Sequence, residues 1–451
     1  MSTAPTAARR DGWRKNVASS IVSTGGGSAD VVDWIVLLSG SLVCGAGIVA
    51  AMSSPRGVST LSILLSAGGL TVALSTMGAI YARYASFQSM LAAGFFLLAG
   101  VAIGYRIAAA ALLHLARDTV PTWPPEPGAV DAHLVVLLAW SEPERYSVGW
   151  VARRHRRLTE GAGVEMPVAA VPLVFMAVKT RYRVSGGRSP GVSAVRGLAE
   201  RVSDRLAERV DRPAPDQSGS HEPSRSTRAR VIVAAAADAG SLSDAIARNM
   251  SDGAARVTVV PLGHEDSDEV DGAKHTLQAT QPVWAQGLVR FAPGLWNDTA
   301  LAGRLAERIL ASAQCAERHD VGVVLVSPGT PAEWERQHPD AREEENYFNQ
   351  RVRMHLCSAG IDERAARIAW LDWRTPDVTE AVRHVAALGR SHIVVAPSTI
   401  VLPSLETTVD LRHAVDGARV PESVTVVTLP CWADDDGLVE AIVRTVEAAR
   451  C

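Results

Sequence analysis

VGVVLVSPGTPAEW, residues 321–334, opens as an unbroken apolar run and then breaks into Pro-Gly-Thr-Pro. A short apolar run bounded by turn residues reads as a strand buried on both faces. Strand ends of this kind hold ligands in α/β proteins. A second stretch, LVVLLAWSEPERY (residues 134–146), has the same form: an apolar strand that ends in a turn with serine and proline. Each is followed later by a strand that ends in proline, VTVVPLGHEDSDE (257–269) and IVVAPSTIVLPSLETTVDL (393–411). The repeated order implies two similar lobes, with these loops at the carboxyl ends of their sheets facing a shared cleft.

The surrounding sequence agrees. Residues 133–140, 230–236, 256–262, 321–327, 367–373, 392–398 and 424–430 are short apolar runs that read as strands. Amphipathic segments such as VSAVRGLAERVSDRLAERV (192–210) and TEAVRHVAALG (379–389) lie between them. Strands alternating with helices of that length predict parallel sheets with right-handed crossovers. The α/β domain is expected over residues 131–451, with lobe one at 131–320 and lobe two at 321–451. The Pro/Ser/Arg-rich stretch 211–229 reads as a mobile linker.

Upstream the texture differs. The chain of 451 residues is 47% hydrophobic, and the excess is concentrated in residues 33–117. Three runs, about 34–52, 58–82 and 87–116, are nearly free of charge, and a bilayer core needs about 20 apolar residues per helix. Three transmembrane helices preceded by a flexible tail (1–32) are therefore expected, with the lipid bilayer as a partner and self-association or protein contacts through the helices. Arg9, Arg10, Arg14 and Lys15 favour a tail on the inside, which after three spans puts the large domain outside. The five scattered cysteines point the other way, to a reducing compartment, and the reading places the domain in the cytoplasm. The formal net charge of −3 gives no support to a nucleic-acid partner.

Five segments together resemble the ferrochelatases and, more distantly, the cobalt chelatases. LLAWSEPE (137–144) resembles the family's opening strand and Gly-x-Pro turn, with Ser141 where glycine is usual. YRVSGGRSP (182–190) resembles its tyrosine, glycine-rich loop and Ser-Pro helix start. VVPL (259–262) is similar to the strand before its first-lobe substrate loop. VSPGTP (326–331) aligns with the Ser-Ala-His-Gly-Leu-Pro loop, and 393–411 with the segment that carries Glu-Thr. The resemblance implies a chelatase-like fold of two Rossmann-like lobes, with porphyrin and ferrous iron as substrates. No iron–sulfur cluster is expected, since the cysteines lack the close spacing that some relatives use.

The same alignment exposes a defect. The family's histidine is missing: Ser327 and Pro328 are followed by Gly329, while the glutamate is kept as Glu406 and Ser404 stands where a second histidine is common. Glu406 reads either as a functional carboxylate for proton or metal, or as a helix-start residue that caps backbone donors. His264, beside Glu265, Asp266, Asp268 and Glu269, reads either as a replacement base and metal ligand or as an incidental histidine in an acidic loop. His338, in ERQHPDAREEE, reads as part of a charged surface helix.

By resemblance, Tyr182, Gly186, Gly187, Ser189 and Ser327 border the porphyrin cleft, the glycines letting backbone approach a flat ligand. The alternative for the glycines is a tight turn. Arg374 pairs either with a ligand propionate or with Asp377. Three functions follow: metal insertion into a porphyrin, non-catalytic haem or porphyrin binding as carrier, sensor or scaffold, and a structural or interaction role with a closed cleft.

Overall fold

The computed structural model describes residues 28–84, 87–114, 123, 132–140, 142–160, 163–210, 229–236, 239–251, 254–263 and 268–449. The expected N-terminal tail up to residue 27, the linker 211–228, Ser141 and His264 lie outside the described residues.

The chain forms two compact units. The first contains α1 (Ser28–Ser53), α2 (Arg56–Tyr84) and α3 (Phe87–Leu113). Each is long and apolar enough to cross a bilayer, over Val31–Ser53, Thr60–Arg83 and Met90–Leu113. They match the three expected spans, and the chain is a multi-pass membrane protein. Glycine sets how closely these helices meet. A Cβ built on Gly45 of α1 would fall 2.1 Å from the Val101 carbonyl oxygen of α3, and one on Gly104 would fall 2.2 Å from Leu42 O. On the other side of α1, a Cβ on Gly69 of α2 would lie 2.7 Å from Gly40 O. Lipid offers no hydrophobic drive between helices, so such backbone approach through small residues supplies the packing. Leu64, Phe95, Leu98 and Ile107 point outward. Arg83 and Asp33 pair at 2.7 Å. Residues 167–173 also belong to this unit, and Tyr105 Oη donates to the Ala169 carbonyl.

The second unit is α/β. Lobe one contains β1 (Ala132–Ala139), α4 (Val148–Glu160), α5 (Val171–Val184), α6 (Gly191–Val210), β2 (Ala229–Ala235), α7 (Ala239–Ser251), β3 (Ala254–Pro261), α8 (Asp268–Thr280), β4 (Val289–Phe291) and α9 (Thr299–Ser312). Lobe two contains β5 (Val321–Ser327), α10 (Ala332–Gln337), α11 (Pro339–Ser358), β6 (Ala366–Trp370), α12 (Val378–Ala387), β7 (His392–Pro397), α13 (Leu411–Gly417), β8 (Thr425–Thr428) and α14 (Asp436–Ala448). All seven predicted strands form. The extra strand, β4, has only three residues and no run long enough to read.

The two sheets repeat one topology. The strand orders are β2-β1-β3-β4 and β6-β5-β7-β8, and every pairing is parallel. The strands that open the two halves, β1 and β5, occupy the same place, as do β3 and β7. This is the two-lobed parallel arrangement expected. Every residue of β5 is buried, which explains its unbroken apolar run. One core joins the lobes, with Leu137 and Leu305 beside Leu325 and Ile442. At its centre, Trp296 and Phe348 meet edge-on at 5.2 Å, and Trp432 lies 6.0 Å from Phe348. The C-terminal helix α14 also reaches across to α6, where Arg209 pairs with Glu440 at 2.6 Å and Glu447 at 2.5 Å.

The glycine contacts yield a test of the membrane unit. Gly45→Leu should lower the thermal stability and detergent-extracted yield of the full chain. Gly78→Leu, where a Cβ meets nothing within 4 Å, should leave both near wild type. Thermal unfolding in one detergent compares them, and equal behaviour of the two variants would contradict this packing.

Candidate ligand cleft

The carboxyl ends of β1, β3, β5, β6 and β7 converge on a cleft of about 200 Å³ within the α/β unit. Its walls are apolar and aromatic, with Trp140, Trp334 and Trp373 among them. Its polar members include Arg154, Arg157, Asp372 and Glu406. This is where ligands bind in parallel α/β folds.

Glu406 comes from a π-helical turn, Glu406–Asp410, that leads into α13. Such turns recur at functional positions. Ser404 opens it: its Oγ accepts from Thr407 N at 3.2 Å, and Thr407 Oγ1 accepts from Ser404 N at 2.8 Å. Ser404 thus takes the capping role that Glu406 had as an alternative. The Glu406 carboxylate instead accepts from Arg154 of α4, 2.6 Å away. Arg154 lies 5.1 Å from the Trp140 ring centroid and 5.6 Å from that of Trp150, a cation–π setting that favours its charge where it stands. One turn along, Asp410 meets Arg181 of α5 through both oxygens at 3.0 Å. Two carboxylates of lobe two are therefore each matched by an arginine of lobe one.

A third contact joins the lobes. Glu142, after β1, is buried. It accepts from Leu405 N at 2.9 Å and from Ser189 Oγ at 2.8 Å. Burial, then the charge of Glu406, raises its pKa above the ordinary value, while the two hydrogen bonds oppose the shift. Asp372 is also raised, by burial first and Glu406 second, against Arg181 and Arg154. Asp410 is raised mainly by burial, with Arg181 opposing.

Of the described residues expected at the site, Glu406 alone lines the cleft. Tyr182 lies on α5, buried, and donates to Pro143 O at 2.5 Å. Gly186 and Gly187 follow that helix at φ +76° and +91°, and a Cβ on either would meet nothing within 4 Å. Gly187 N donates to Tyr182 O at 2.6 Å, closing the helix. Their role here is the turn, which needs a left-handed residue. Ser189 supports Glu142. Ser327 is fully buried, and its Oγ accepts from Asn349 at 3.1 Å and Thr399 at 3.0 Å. Arg374 pairs with neither a cleft group nor Asp377. It binds Glu335 and, at 3.0 Å, Glu345, while Asp377 caps α12.

Gly329, in the loop after β5, is demanded twice. Its φ is +79°, and a Cβ would fall 2.1 Å from Asp372 O. His338 precedes α11 and pairs with Asp271 of lobe one at 3.1 Å, so it joins the lobes and does not only coat a surface. Gly263 lines the cleft, and the residue after it, His264, is outside the described residues. Among those described, no group of three or more His, Cys, Asp or Glu is arranged to hold a metal ion.

Sequence reasoning missed Glu142, Arg154, Asp372 and Trp373. SEPE gave a signal for Glu142, a carboxylate directly after a buried strand. Arg154 was hidden in the basic run of α4, where every arginine looks like surface.

The fold and site thus define a multi-pass membrane protein with a two-lobed α/β domain of parallel sheets and an aromatic cleft. No family model matches the chain, and no curated protein does. Among solved structures it is similar to CbiX, described as the terminal enzyme for biosynthesis of siroheme in denitrifying bacteria, at 14% identity and a TM-score of 0.40. The match covers 70% of this chain and 99% of that one.

Two tests follow. Gly329→Ala should distort the loop and lower stability by more than 1 kcal/mol, on the order expected where alanine meets a positive φ; denaturant titration measures it. For Glu142, folding raises the pKa, so its ionisation costs stability at neutral pH. That cost disappears as pH falls through the folded pKa toward the ordinary value of about 4.3. Glu142→Gln keeps an acceptor for Leu405 N and a donor for Ser189. It should therefore unfold at higher denaturant than wild type at neutral pH, with the gap closing in acid. A gap independent of pH would contradict this. Glu142→Ala should cost about 1–3 kcal/mol through the donors left unpaired.

Proposed function

We propose that this chain is a membrane-anchored, non-catalytic binding protein for a flat anionic tetrapyrrole, acting as carrier, sensor or scaffold, with its large domain in the cytoplasm. The observation that carries the reading is the Arg154–Glu406 pair. A carboxylate that receives protons or passes a metal ion must offer its lone pairs. Here a guanidinium, itself settled between two tryptophan rings, holds one of the two carboxylate oxygens, Oε1, and its charge repels an arriving dication. Aromatic walls suit the face of a macrocycle, and Arg157 on the same wall suits a propionate. The open cleft speaks against a purely structural protein.

The test is absorbance titration of the detergent-solubilised full chain with metal-free coproporphyrin. A saturable shift at micromolar protein is expected. Anaerobic incubation with ferrous or cobaltous ion should give no metallation above the protein-free rate. A flat titration overturns the binding role. Metal insertion that is lost in Glu406→Gln would instead establish an enzyme.

A further inference from the structure

Trp373 stands out in the cleft. Its φ is +67°, in the left-handed region that bulky aromatic residues avoid, and its side chain is 52% exposed although it lines the cleft. An unfavourable backbone persists only where the surroundings fix it. Here they do. Leu371 N donates to Ser327 O at 3.0 Å and Asp372 N to Pro328 O at 3.1 Å, and Arg374 N turns back to Asp372 O at 2.8 Å. Beyond the turn, Arg374 is held by Glu335 and Glu345. The strand end is therefore fixed against the loop that carries Gly329, and it presents an exposed indole that the core does not use.

The residue before it completes the arrangement. Asp372 lines the same cleft, open to solvent on one side and crowded by protein atoms on the other. Among the described residues its carboxylate makes no hydrogen bond or ion pair. Its neighbour in charge, Glu406, is matched by Arg154, whereas Asp372 has no such match. An acceptor of this kind, among Trp140, Trp334 and Trp373, suits an aromatic ligand that brings N–H donors.

We infer that Asp372 and Trp373 form a subsite for the metal-free form of the ligand, with the indole against the macrocycle and the carboxylate accepting from its pyrrole N–H groups. This rests on the tetrapyrrole reading above and adds a selectivity to it. A metallated macrocycle has lost those N–H groups and leaves Asp372 without a partner. Burial and Glu406 both increase the proton affinity of Asp372, which makes it a stronger acceptor for a donor that arrives.

The experiment uses the full chain in detergent, titrated with metal-free coproporphyrin and with its palladium(II) complex, which is planar and has no N–H. Wild type should bind the metal-free form about tenfold more tightly, the scale of one hydrogen bond to a charged acceptor. Asp372→Ala should bring the two affinities together by weakening the metal-free form alone. Trp373→Ala should weaken both by a similar factor. Equal wild-type affinities overturn this inference and leave the binding role intact. A preference that survives Asp372→Ala removes the assignment to that residue. Binding of neither form overturns the binding role and the subsite together.

Discussion

The buried carboxylate of Glu142 is the constraint on which the cleft depends. It sits at the end of the first strand of lobe one, yet it bonds the backbone N–H of Leu405 in lobe two. That bond fixes the start of the turn carrying Glu406 and Asp410, whose arginine partners are again in lobe one. The two lobes are thus held in register at the cleft by polar contacts, and elsewhere by a shared apolar core. Polar contacts can be directional in a way that apolar packing cannot, and a cleft with defined walls needs direction. The exposed ladder between α6 and α14 adds less per contact, because solvent screens it.

The fold was legible because burial on both faces leaves a mark in sequence. Runs such as VGVVLVS have no polar face to keep, and the spacing of such runs imposes crossover helices and hence parallel sheets. The membrane helices were legible for a similar reason: lipid tolerates few charges over a span. The site was less legible. Glu406 was found through its motif, but the side chain that defines its state, Arg154, lies far away in sequence in a run of basic residues. Only the tertiary fold distinguishes that arginine from its neighbours. The same holds for Ser327 and Ser189, whose hydroxyls looked suited to a ligand and are instead bound within the protein. A polar residue at a strand end carries no sequence mark that says which way it faces.

The two halves show how one topology separates into different roles. Both open with a buried strand and a proline-bearing turn. In lobe one that turn supplies Glu142, which reaches into the other lobe. In lobe two it supplies Gly329, whose lack of a side chain lets the Asp372 carbonyl approach. Any side chain at Gly329 would require both a different backbone conformation and a retreat of the strand end after β6. The glycine is therefore a fixed part of how this loop packs against the strand end.

Charge gives the last step. Glu142, Asp372, Glu406 and Asp410 interact electrostatically, while Arg154 and Arg181 are the cations named against them. Glu406 and Asp410 are matched by direct pairs, and Glu142 has hydrogen bonds from Leu405 and Ser189. Asp372 is the one of the four with no hydrogen bond or ion pair among the described residues. The cleft therefore sets a carboxylate paired with arginine, Glu406, beside one with no such pair, Asp372.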